Sequence, residues 1–76
     1  ETKQRIATLV HCIDDEIHIH DFRMVSGNTH TNVIFDAVLP FDSKLSEEEA
    51  QEKIVTLIAE RHENTNAVVQ IDRTFT

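Results

Sequence analysis

The chain reads as an α/β (α+β) domain, a two-layer sandwich with two helices on a three-stranded sheet, and three observations predict it. Apolar residues recur at helical spacing in two segments and alternate at strand spacing in three others. Those segments follow one another as helix, strand, strand, helix, strand. The length of 76 residues allows one domain only, since a chain this short buries roughly 60% of the surface its unfolded form exposes.

Residues 1–14 place Ile6, Leu9, Val10 and Ile13 on one apolar stripe, which predicts the first helix. The pair Asp14-Asp15 breaks the pattern. Residues 17–25 then read as a strand whose aliphatic positions alternate with His18 and His20. The only glycine, Gly27, stands next to Asn28, which tolerates positive φ, so the two predict a tight two-residue hairpin turn. The returning strand, residues 30–39, is rich in Val, Ile and Phe and stops at Pro40. Ser46 with Glu49 three residues on forms a capping box, and Ala50, Ile54, Leu57 and Ile58 supply the buried stripe of a second helix reaching His62. After a loop at Asn64-Thr65-Asn66, residues 67–75 alternate Val69, Ile71 and Phe75 against Gln70, Asp72 and Thr74, the pattern of a third strand. The order αββαβ is a ferredoxin-like split βαβ unit without its first strand. A sheet that narrow exposes edges and apolar surface, and homodimerisation is the natural way to cover them.

Fourteen acidic residues against seven basic ones give a formal charge of −7. That balance repels phosphate backbones and predicts neither nucleic-acid binding nor direct attachment to anionic lipid. Much of it is solvation: Glu47, Glu48 and Glu49 suit the first turn of an exposed helix. Cys12 is the single cysteine, so no internal disulfide forms, and it reads as a small buried or half-buried apolar side chain. No stretch approaches the roughly 20 apolar residues of a membrane span. The chain opens at Glu1 rather than Met, which reads as a single domain, residues 1–76, cut from a longer protein.

A two-residue turn at Gly27-Asn28 sets His18 opposite Ala37, His20 opposite Phe35 and Phe22 opposite Val33, all on the face that takes the helices. Asp21, Arg23, His30, Asn32 and Asp36 then share the other face with Ile19, Ile34 and Val38. His18 and His20 at strand spacing, like Gln70 and Asp72, can share a face, while His11 and His62 fall where surface or helix-end residues belong. No glycine-rich phosphate loop, Gly-x-Ser-x-Gly elbow or activated cysteine occurs, and Asp14-Asp15 reads as a turn, so no enzymatic activity is expected.

The run His20-Asp21-Phe22-Arg23, then Ser26-Gly27 and a strand, then Leu45-Ser46-Glu47-Glu48-Glu49-Ala50, resembles the carboxy-terminal cytosolic domain of cation diffusion facilitators. The resemblance covers essentially the whole chain. It implies a metallochaperone-like fold, a homodimer, attachment to the transmembrane domain of the same transporter, and a place at the cytosolic face of the cell membrane. The function it implies is dimerisation and regulation of a divalent cation efflux transporter, with zinc, manganese or iron as the bound ion. His20 stands at a ligand position of the family. Phe35, Gln51 and Gln70 stand where other members carry histidine, and Asp72 keeps the carboxylate of a closing His-x-acid pair. The resemblance therefore implies a reduced metal set of His20 and Asp72, joined by His18, water or the partner chain, or a domain kept chiefly to hold two subunits together. A free-standing ferredoxin-like metal-binding or small-ligand sensor is the alternative.

Overall fold

The structure, a computed structural model, describes residues 2–74. Five elements follow in the expected order: α1 (Thr2–Ile13), β1 (His18–Ser26), β2 (Thr31–Leu39), α2 (Glu47–Arg61) and β3 (Thr65–Arg73). β2 is the central strand, antiparallel to β1 and parallel to β3. Each boundary agrees with the sequence reading to within two residues. Phe75, expected to close the third strand, lies outside the described residues.

One face of the sheet takes both helices. Ile6 and Val10 from α1, with Ala50, Ile54 and Ile58 from α2, pack on Val33, Phe35, Ala37, Leu39 and Val69, and Ile17 closes the end next to β1. All of them are buried, and full burial of such a side chain contributes about 1.5–3 kcal/mol. No polar or charged residue is buried among the described residues. Ser46 caps α2 as its sequence predicts: its hydroxyl accepts the Glu49 amide at 3.1 Å, and the Glu49 carboxylate accepts the Ser46 amide at 3.1 Å. At the other end His62 is the C-cap, its amide donating to Ile58 O at 2.9 Å.

Two features of the hairpin depart from the sequence reading. Its tip is Asn28-Thr29 instead of Gly27-Asn28: Ser26 pairs with Thr31, and the Gly27 amide donates to the His30 carbonyl at 2.7 Å. Glycine is needed there for close approach and not for positive φ, because a Cβ at position 27 would lie 2.8 Å from His30 O. The second departure is a β-bulge. His20 pairs with Asp36 and Arg23 with Ile34, so Asp21 and Phe22 together face the single residue Phe35. Asp21 takes up the extra residue in the left-handed region, φ 56°, which aspartate enters more readily than most residues.

The bulge inverts the alternation of β1. Ahead of it Ile17 and Ile19 face the helices; beyond it Phe22 and Met24 do, since Met24 pairs with the buried Val33. The expected pairing of His20 with Phe35 and His18 with Ala37 is thereby corrected. Both histidines turn to the uncovered face, and Ile19 moves to the packed one. Cys12 is also corrected, being exposed on α1.

Candidate functional site: the uncovered face of the sheet

With every second side chain of three strands pointing away from the helices, the second face of the sheet carries four rows. From the hairpin end they run Val25, Asn32, Asn66; then Arg23, Ile34, Val68; then His20, Asp36, Gln70; then His18, Val38, Asp72. The hairpin half mixes Val25, Ile34 and Val68 with Asn32, Asn66 and Arg23, and Val25 and Val68 are about half exposed. Imidazole and carboxylate groups concentrate in the other half.

His18 and His20 stand on one face of β1 with ring centroids 6.4 Å apart and planes 35° from parallel. Asp36 sits across the strand from His20. Asp72 shares a row with His18, but β2 runs between them. Neighbouring strands lie about 4.8 Å apart, so the backbones of β1 and β3 are separated by about 9.6 Å. One chain thus brings His18 and His20 together and sets Asp72 apart from both. Among the described residues no three His, Cys, Asp or Glu side chains converge on a point that could hold a metal ion. The same face is tied across β2 and β3 by the Asn66 amide donating to Asn32 Oδ1 at 3.2 Å.

The three positions where the resemblance expects histidine have other occupations here. Phe35 is buried and stacks on Phe22. Gln51 donates from Nε2 to the Val69 carbonyl at 3.0 Å and ties α2 to β3. Gln70 is exposed beside Asp36. Asp21 serves the bulge, and Arg23 and Asp21 make no side-chain hydrogen bond among the described residues. His11 links helix to strand, its Nε2 lying 3.2 Å from the Ile17 carbonyl.

Asp36 is the residue of this face that sequence reading undervalued, because the wrong register kept it from His20. The signal was present: Ile17-His18-Ile19-His20 and Phe22-Arg23-Met24 alternate with opposite parity, and only an extra residue between them reconciles the two. Arg73 was overlooked altogether. Its guanidinium donates to the carbonyls of Pro40 at 3.3 Å, Ser43 at 3.0 Å and Leu45, and lies 3.8 Å from the Glu47 carboxylate.

No family model matches the chain, and no curated protein matches it. A solved structure of CzrB, described as a candidate zinc transporter, aligns with a TM-score of 0.73 at 17% identity, covering 96% of this chain and 93% of that one. This likeness establishes the αββαβ sandwich as a known fold. No helix among the described residues is long and apolar enough to cross a membrane.

Proposed function

We propose that the chain is the cytosolic dimerisation and regulatory domain of a divalent metal cation efflux transporter, acting through the uncovered face of its sheet. The observation that carries this reading is the fold shared over nearly the whole chain with a candidate zinc transporter. The face itself supports it: a half whose exposed Val25 and Val68, with Ile34, suit a second copy adjoins a half bearing two imidazoles and two carboxylates. The ion pathway belongs to a transmembrane part of the same transporter, and the domain performs no catalysis.

A two-fold axis along β2 lays β1 of one copy over β3 of the next. Val25 and Val68 are then covered, and His18 and His20 approach the partner's Asp72, which β2 holds away from them within one chain. Asp36 falls near the axis against its own copy, and like charges so placed repel. A zinc, manganese or iron ion taken by these nitrogen and oxygen donors would relieve that repulsion. An ion bound more tightly in one arrangement of the two copies than in another shifts the balance between them, which is what regulation of an attached membrane part requires.

Sedimentation equilibrium of the chain at micromolar concentration tests the reading, with and without zinc. A dimer is expected that weakens in Val68→Glu and strengthens in Asp36→Asn. Calorimetric zinc uptake should fall at least tenfold in both His20→Ala and Asp72→Ala. A folded chain that stays monomeric, or a dimer that none of these changes affects, would remove the proposal.

A further inference from the structure

A second group of nitrogen and oxygen donors lies away from the sheet face, where the hairpin tip meets the end of α2. A groove of about 460 Å³ opens there, and His30 from the hairpin and His62 from the C-cap of α2 both line it. Asn64 and Thr65, which follow the helix, lie on the same walls. We propose that this groove is a binding site for a divalent transition-metal ion, held by the imidazoles of His30 and His62 with water completing its shell.

Four observations carry the assignment. The two histidines are far apart in sequence, yet the fold delivers them to one groove. Their backbones are fixed: the His30 carbonyl accepts the Gly27 amide at 2.7 Å, the His62 amide donates to Ile58 O at 2.9 Å, and the Thr31 amide donates to the Asn64 carbonyl at 2.8 Å. Asn64 holds that last contact in the left-handed region, φ 59°. The His30 ring is also oriented, with Nδ1 2.9 Å from Thr29 Oγ1. In the tautomer that carries its proton on Nδ1, this contact leaves Nε2 as the free lone pair, the arrangement in which an outer hydrogen bond orients a metal-ligating histidine.

The electrostatics favour a cation over an anion. His62 ends a 15-residue helix, and a helix C-terminus carries the negative end of the macrodipole and unpaired carbonyls. The chain as a whole adds a charge of −7. Two imidazoles without a thiolate suit ions such as zinc, nickel or copper, while magnesium and calcium prefer oxygen-rich sites. An ion bound here would fasten the hairpin tip to the helix end, adding to the backbone hydrogen bond between Thr31 and Asn64. The inference does not rest on the transporter reading, since none of its residues lies among the imidazoles and carboxylates of the sheet face.

The test is a zinc titration of the complete 76-residue chain carrying His18→Ala and His20→Ala, which silences the open face. Imidazole resonances of His30 and His62 are followed by two-dimensional NMR, and circular dichroism confirms the fold of every variant. Saturable one-to-one binding that shifts both imidazoles together is expected, with at least tenfold weaker binding after either His30→Ala or His62→Ala. No saturation at millimolar zinc, or binding indifferent to both substitutions, overturns the site. Loss of zinc-dependent dimerisation in the same background bears on the sheet face alone, so failure of either idea is told from failure of the other.

Discussion

The ring of Phe22 stacks on that of Phe35 across the β1–β2 ladder, centroids 5.9 Å apart and planes 23° from parallel. Phe35 is 1% exposed and is the largest fully buried side chain among the described residues, while Phe22 is partly buried at the margin of the core. Replacing a buried Phe by Ala costs about 3–5 kcal/mol, a large share of the roughly 5–15 kcal/mol that stabilises a small domain. Phe35→Ala should therefore lose much of its stability margin and unfold at a far lower urea concentration. Phe22→Ala should fold, with a lower midpoint and an unchanged slope.

The bulge predicts an asymmetry at position 21. Asp21→Gly relieves a positive φ and should leave the urea midpoint level or raised. Asp21→Val puts a β-branched residue in the left-handed region and should cost about 1–3 kcal/mol. Deleting residue 21 is worse than either. The strand must then expose Ile17 and Ile19 or else Phe22 and Met24, and a loss of cooperative unfolding is expected by calorimetry.

That asymmetry also marks how far the sequence could be read. The helices were legible because Ile6, Val10, Ile54 and Ile58 repeat at helical spacing and Ser46–Glu49 announces its own cap. β3 was legible because Val69 and Ile71 alternate cleanly with exposed neighbours. The faces of β1 were not, because alternation assigns faces only when the register is known, and one residue in the bulge reverses every assignment on the far side. His18 and His20 were correctly placed together and given the wrong face. That His30 and His62 line one groove depends on where the hairpin tip falls against α2, which no local pattern encodes.

Arg73 should hold the β2–α2 connection in place. Its guanidinium serves three carbonyls of the Pro40–Leu45 segment while remaining partly exposed. Arg73→Ala is expected to cost about 1–2 kcal/mol, the scale of hydrogen bonds from a charged donor in a half-wet site. Arg73→Lys should recover little, because a single ammonium cannot span the fork. Amide exchange in residues 41–45 should accelerate in both variants, with β1 amides unaffected.

Gly27→Ala tests the close approach in the hairpin. The added methyl meets backbone oxygen, which cannot move without shifting the strand end. A loss on the order of 1 kcal/mol is expected, read as earlier thermal melting. Nuclear Overhauser contacts between Ser26 and Thr31 should weaken. The prediction fails if those contacts and the melting temperature are both unchanged.

The parallel pairing of β3 with β2 gives this small domain a hazard during its own synthesis. β1 and β2 can zip into a hairpin as soon as both have left the ribosome, but the far edge of β2 waits for α2 and β3. At about 5–20 residues per second that wait lasts roughly two to seven seconds. Throughout it, the strand bearing Val33, Ile34, Phe35 and Val38 offers an open row of amides and carbonyls to any nascent neighbour. A mature sheet with β2 safely in the middle is thus reached through an intermediate with β2 at the rim, and chains stalled between residues 40 and 65 are the ones expected to aggregate.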